Sequence, residues 1–378
     1  MNSELIGIIP AAGRGTRMAG LTTELPKALI EIEGQALIAR AIESLKSVGV
    51  SKIVVVTGYR AEMVRDFVSA RDFGVEIDFA FQEQQLGLAH AIASAGDRIT
   101  TDFVVLCPDN IFSDSRDLQE AKRCFRSSGP PFLMVATVNP THQRDRAKYF
   151  SGALRNVTPH VYEYNRIDDR ELGLAMNSTG CTFFAREALR LPPSFDNLTV
   201  EHKFEDYISR LAEAGAPLIY LLRGMRYDLS EPADVSSYIA LQQELRNTTG
   251  QGVSAILMDA DGRILLQHRD DNPNIRYPRH WALFGGSIED GESPYVAARR
   301  EILEETGYNV ETLGLFREFV QNNKREFAFV GEINASLAEL SLNEGQGMDF
   351  VSPKELRKLL IRPDDKQTLM AYFGEWDD

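Results

Sequence analysis

Two short stretches of the 378-residue chain combine residue types suited to phosphate chemistry. The first is Pro10-Ala11-Ala12-Gly13-Arg14-Gly15-Thr16-Arg17, which follows the apolar run Leu5–Ile9. A strand ending in a glycine turn brings backbone N–H groups together where a phosphate can accept them. Glycine suits that turn because a Cβ would block close approach and disfavour positive φ. A dinucleotide fingerprint would need a third glycine where Met18 stands, and a P-loop would need a Gly-Lys pair, which the sequence lacks. The second stretch is Arg300-Glu301-Ile302-Leu303-Glu304-Glu305-Thr306-Gly307. On a helix starting near Ser293, Glu301 and Glu305 lie one turn apart on one face, with Glu304 beside them. Three carboxylates so close repel one another unless Mg²⁺ or Mn²⁺ lies between them. Arg300 can orient one of them, and Gly307 stands where a left-handed helix cap is favoured.

The spacing Gly13-x-Gly15-Thr16-Arg17-x₄-Thr22-x₃-Pro26-Lys27 resembles the signature of the sugar-1-phosphate nucleotidylyltransferases, over roughly residues 4–245. That family joins a nucleoside triphosphate to a sugar 1-phosphate and releases pyrophosphate. Gln82 to Ala91 is similar to its base- and sugar-reading loop, Leu106-Cys107-Pro108-Asp109-Asn110 to its strand-end metal aspartate, and Tyr227-Asp228 to its second metal aspartate. Ser178-Thr179-Gly180 is similar to its acceptor-side segment. The resemblance implies that Ala12, Gly13, Gly15 and Thr16 bind the nucleotide, that Gln82 and Gly87 contact its base, and that Asp109 and Asp228 hold Mg²⁺ (or Mn²⁺). Arg17 would hold the leaving pyrophosphate with its planar fork and Lys27 would act on the phosphates as a point charge. Gly152, Arg166, Thr179 and Gly180 would form the acceptor side. One departure is plain: the family's Glu-Glu-Lys-Pro segment is absent, and no lysine lies between Lys148 and Lys203. Arg166, one residue past the aligned position, is the expected replacement, with Arg170 one turn on. Thr23-Glu24-Leu25-Pro26-Lys27-Ala28-Leu29 also looks like the choline-phosphate cytidylyltransferases, so a non-sugar phosphate or phosphonate acceptor is the alternative.

Gly286-x₅-Glu292-x₇-Arg300-Glu301-x₂-Glu304-Glu305-x-Gly307-Tyr308 resembles the Nudix box, departing only at Tyr308, where an aliphatic residue is usual. The resemblance implies hydrolysis of a nucleoside diphosphate derivative, with Glu301, Glu304 and Glu305 as metal ligands and Glu304 as a catalytic carboxylate. Glu344, in a turn, is a further candidate. Two enzymes in one chain are expected; the alternative is that one half is a nucleotide sensor that regulates the other.

The elements that must position these residues are visible as patterns. Strand-like runs at Leu5–Ile9, Ile53–Thr57, Ile77–Phe81 and Phe103–Leu106 alternate with helical ones; Leu37, Ile38, Ala41, Ile42, Leu45 and Val48 mark one helix face. Such alternation predicts an α/β, Rossmann-like, mostly parallel sheet covered by helices, with ligands beyond the carboxyl ends of its strands. A helix near Pro232–Arg246 closes this domain (residues 1–246) and residues 247–251 read as a polar linker, while the Nudix resemblance implies an α/β/α sandwich for residues 252–378. Asp261-Gly262 predicts a hairpin turn after a strand at Ser254–Met258.

Composition bounds the rest. With 41 basic against 55 acidic residues the chain carries −14, and residues 252–378, with 14 against 23, hold most of that excess. No basic excess exists to drive binding to nucleic acid or an anionic membrane, and no apolar run reaches the ~18 residues of a membrane helix. Three scattered cysteines exclude a disulfide framework, and the reduced, leaderless reading is cytoplasmic. An acidic chain that handles phosphates needs cations between itself and its substrate.

Overall fold

The computed structural model describes residues 4–18, 20, 24–138, 149–150, 152–158, 161–166, 176–191, 204–213 and 215–374. The chain divides into two compact units: Met1–Val135 with Thr179–Tyr220 and Arg226–Ala240, and Ala136–Ser178 with Leu221–Met225 and Leu241–Asp378.

In the first unit, strand Ile6–Ala11 runs parallel to Lys52–Thr57 on one side and to Phe103–Leu106 on the other. Glu76–Phe81 continues the parallel set, and Met176–Phe184 pairs antiparallel with Phe103–Leu106. The expected strands and their parallel pairing are present, so the mostly parallel sheet is as the pattern indicated. Each strand is buried along nearly its whole length at Ile6–Ala11, Lys52–Thr57 and Phe103–Leu106, as a sheet covered on both faces requires. Helix Leu37–Val48 buries all six residues of the predicted face and ends on Gly49 at φ 76°. The helix at Pro232–Leu245 ends within a residue of its expected bound.

In the second unit, Gly152–Thr158 and Val161–Arg166 form an antiparallel pair. Gln251–Met258 runs parallel to Lys324–Glu332 at the centre of a six-stranded mixed sheet, flanked by Ile264–His268 and Leu313–Gln321. Helix Pro294–Thr306 lays Tyr295, Ala297, Ala298 and Ile302 against Val253, Ala255, Leu257, Phe327 and Phe329. The second helix, Pro363–Phe373, meets the sheet through the edge-on contact of Tyr372 with Phe316.

Gln251, the last residue read as linker, and its neighbour Gly252 belong to this sheet. Gln251 and Gly252 pair with Arg325 and Glu326, and a Cβ on Gly252 would stand 2.5 Å from a Glu326 carboxylate oxygen. Glycine there lets the Glu326 side chain lie close against the strand. Thr249 N–H donates to the Asn323 carbonyl and Arg325 N–H to the Gly250 carbonyl, so the run before the strand is also fastened. Among the described residues no helix is long and apolar enough to cross a membrane.

Candidate functional site

In the first unit, the carboxyl end of Ile6–Ala11 opens into a cleft of about 440 Å³. Ala12, Gly13, Gly15, Thr16, Arg17, Lys27, Gln82, Gly87 and Asp109 all line it. The glycine turn therefore faces open space, as its position after a parallel strand requires. Gly15 has φ 65°, and a side chain on Gly13 would meet nothing within 4 Å, which leaves its backbone open to the cleft. Arg17, on the short turn Thr16–Met18 anchored by buried Met18, is exposed and has no hydrogen bond or ion pair among the described residues.

Lys27 begins a tight turn whose next residues, Ala28 and Leu29, are buried and hold it in place. Its ammonium sits 2.6 Å from Asp109 Oδ2 across 82 residues of sequence. Asp109 Oδ1 accepts from Asn110 Nδ2 at 2.8 Å, and Asn110 Oδ1 accepts from Arg226 Nε at 2.6 Å. Arg226 Nη2 pairs with Asp228 at 2.9 Å, and Ser230 Oγ donates to the same carboxylate. Strand Arg226–Asp228 lies antiparallel to Asn110–Phe112, with Asp228 opposite Asn110. The two aspartates are thus joined through one polar chain. Burial works to raise the Asp228 carboxyl, but Arg226, Ser230 and Lys27 outweigh it and hold it below its usual range. Burial first, then Asp109 and Asp228, push the Cys107 thiol up, so it is neutral.

Gln82 is buried, and its amide donates to the Gly87 carbonyl at 3.1 Å and meets His90 Nδ1 at 2.9 Å. Gly87, at φ 94°, starts helix Leu88–Ala95. Thr179 and Gly180 are not among the residues that line the cleft. Thr179 is fully buried and gives its hydroxyl to the Val135 carbonyl at 2.8 Å. Gly180, at φ 68°, lies so close under the Asp109 loop that a Cβ would come within 2.6 Å of Asn110 Nδ2. The Gly180 carbonyl accepts from Cys107 N–H at 2.9 Å, so Gly180 seats that loop. Gly152 pairs in register with Arg166 on the antiparallel strands of the second unit. The Arg166 side chain, Thr22 and Arg170 lie outside the described residues.

Three partners escaped the sequence reading: Arg226, Ser230 and His90. Arg226 and Ser230 stand two residues either side of Asp228, the strand period that puts side chains on one face, and that signal could have found them. His90 had no comparable signal, because Gln82 reaches it through a loop.

In the second unit, Ser293 caps helix Pro294–Thr306 by accepting from Val296 N–H, and Gly307 closes it at φ 69°. Arg300 Nε and Nη2 each lie 3.0 Å from a Glu292 oxygen; Nη1 donates to Glu301 at 2.9 Å and to Glu304 at 3.0 Å. Nη2 also donates to the Ser287 carbonyl. Gly286 packs against Glu301 so closely that a Cβ would overlap its carboxylate at 2.4 Å. Glu305 is buried and accepts from Gly285 N–H at 3.1 Å. Burial, with Glu344 and Glu301 nearby, pushes its carboxyl up to about 8. Burial raises Glu301 as well, against the pull of Arg300. The turn carboxylate Glu344 thus bears on both. Tyr308 places its hydroxyl to accept from Asn334 N–H, a role an aliphatic residue could not fill.

Among the described residues no three such side chains converge at coordination spacing, because Arg300 holds Glu301 and Glu304 to itself. The donor set nevertheless fits a divalent cation: hard oxygens only, mutually repelling, with Glu305 disfavoured as an anion.

Comparison with known proteins matches two separate stretches of the chain to two families. Residues 6–149 match the nucleotidyl transferase family, and residues 248–372 match the NUDIX domain family. Over 106 residues the chain is 38% identical to the UTP–glucose-1-phosphate uridylyltransferase AglF of Haloferax volcanii, covering 28% of this chain and 44% of that one. Over 250 residues it is 27% identical to the bifunctional protein GlmU of Bacillus cereus, covering 64% and 51%. The chain therefore spans about half the length of these curated relatives. A crystal structure of UDP-glucose pyrophosphorylase complexed with UDP-glucose superposes with a TM-score of 0.54 at 18% identity, over 64% of this chain and 99% of that one, a likeness of fold.

Proposed function

Starting from a chain that carries a nucleotidyl transferase domain at residues 6–149 and a NUDIX domain at residues 248–372, we propose a bifunctional enzyme. The first site transfers a nucleotidyl group from a nucleoside triphosphate to a phosphorylated acceptor, a sugar 1-phosphate, and releases pyrophosphate. The second hydrolyses a nucleoside diphosphate derivative. The observation that carries the first reading is the Lys27–Asp109 pair at the edge of a cleft floored by the glycine turn. The sugar 1-phosphate acceptor draws support from the names of AglF and of UDP-glucose pyrophosphorylase.

Transfer at the α-phosphorus is an in-line displacement, in which positioning and charge neutralisation do most of the work. Backbone N–H groups of Ala12 to Thr16 receive the phosphates, and Arg17 holds the leaving pyrophosphate by its fork. Lys27 moves between Asp109 and the phosphate oxygens as a mobile point charge. Gln82, its amide fixed by Gly87 and His90, presents a set hydrogen-bonding edge to the base. Asp109 and Asp228 are the residues that would hold Mg²⁺ here, and Glu301, Glu304 and Glu305 those that would hold Mg²⁺ or Mn²⁺ in the second site. The bound cation would neutralise phosphate charge at each.

The acceptor phosphate falls to Arg166, in place of the missing lysine. Charge-assisted contacts contribute roughly 1.5–3 kcal/mol, so Arg166→Ala should weaken acceptor use by about 10- to 150-fold while the KM for the nucleotide stays put. An unchanged acceptor KM and kcat would remove Arg166 from the site. The assignment as a whole is tested by a grid of nucleoside triphosphates against phosphorylated acceptors, read by pyrophosphate release. Release with a sugar 1-phosphate is expected; release only with a non-sugar phosphate would move the acceptor class, and no release with any pair would overturn the transferase reading.

A further inference from the structure

Arg14 stands between the two glycines of the turn and lines the cleft beside Arg17. Its guanidinium makes no hydrogen bond or ion pair with any described residue. It lies instead over the ring of Tyr59, 5.7 Å from the ring centre. That ring is held in place from several directions. Tyr59 N–H donates to the Ala12 carbonyl at 3.0 Å. Gly58 packs so tightly on Ala12 that a Cβ there would stand 2.8 Å from the Ala12 Cβ. On the other side Arg60 adopts φ 49°, an uncommon conformation for a side-chain-bearing residue. From there its guanidinium lies 5.6 Å from the same ring centre, and Nε donates to the Tyr59 hydroxyl at 3.1 Å. Arg60 Nη1 also donates to the Glu24 carbonyl, on the segment that leads into Pro26-Lys27. The turn Gly58-Tyr59-Arg60 therefore fastens the glycine loop on one side and the lysine-bearing segment on the other.

Charge gives this arrangement a use. The Lys27 ammonium is neutralised by Asp109, and the chain as a whole carries −14. A polyphosphate entering the cleft needs cations beyond Lys27, and Arg14 and Arg17 are the two arginines lining it. A guanidinium resting on an aromatic face keeps its edge donors free while losing freedom to swing into solvent. We propose that Arg14, aimed by the Tyr59 ring, grips the terminal phosphates of the nucleoside triphosphate and then the released pyrophosphate. The inference rests on the nucleotidyl transferase reading and adds a second arginine to its leaving-group end. Tyr59 is the positioning residue and Arg14 the binding residue.

Calorimetric titration of the full chain with Mg²⁺ and inorganic pyrophosphate, and with ATP, CTP, GTP and UTP, tests it. Arg14→Ala should weaken pyrophosphate, and whichever nucleotide the wild type binds, by about tenfold. Tyr59→Leu should weaken both by about threefold, since it leaves the arginine present but unaimed. Tyr59→Phe keeps the ring and should recover nearly wild-type affinity. The acceptor KM should not move in any of the three, which a loosened fold would not allow. Wild-type binding with an unaltered Arg14→Ala variant overturns the proposal alone. A wild type that binds neither pyrophosphate nor any of the four nucleotides overturns it together with the reading on which it rests.

Discussion

Arg300 donates to Glu292, Glu301, Glu304 and the Ser287 carbonyl, so one side chain ties the loop before the helix to the helix itself. Its bond to Glu292 is the largest cause holding that carboxyl below its usual 4.5. A folded pKa below the unfolded one contributes stability that is fully present above the unfolded value and lost as pH falls through the folded one. Glu292→Gln should therefore lower the thermal midpoint by about 2–4 °C near neutrality, and the gap from wild type should close in acid. Melting curves between about pH 3 and 7 check this; a gap that widens in acid would contradict it. The motif residues themselves were legible because their types and spacing are unusual. What each touches was not: Arg226 reaches Asn110 across 116 residues, and Gln82 meets His90 around a loop, while only Arg226 and Ser230, flanking Asp228, carried a periodic hint.

Helices and strands were legible where periodicity ran long, as in Leu37–Val48, where every predicted apolar position is buried. Boundaries set by packing were not. Gln251 looks like linker composition yet opens a strand, and beside it the Glu326 carboxylate comes within 2.5 Å of where a Cβ on Gly252 would stand. Gly286 follows the same logic beside Glu301. Gly286→Ala should displace the Glu301 carboxylate and cut hydrolysis by about tenfold or more, while the helix, capped by Ser293 and Gly307, keeps its circular dichroism. Full hydrolysis by this variant would separate Glu301 from the chemistry.

The sequence divides the chain at one polar run, whereas the compact second unit gathers Ala136–Ser178 and Leu221–Met225 with everything from Leu241 onward. Contacts so distant in sequence leave no local signature. Gly314 is one point where these segments meet closely: a Cβ there would lie 2.3 Å from Val138 and 3.0 Å from Leu221. Gly314→Ala should cost about 1–3 kcal/mol, read as a lower urea midpoint, since backbone and side chains must shift to admit it. An unchanged midpoint would mean that the strands part freely at that contact. Whether two independent chemistries occupy one chain is decided by assaying pyrophosphate release and nucleoside diphosphate hydrolysis side by side in wild type, Asp109→Ala and Glu301→Gln. Asp109→Ala should lose transfer and keep hydrolysis, and Glu301→Gln should do the reverse. An Asp109→Ala protein that still releases pyrophosphate at the wild-type rate would contradict that expectation.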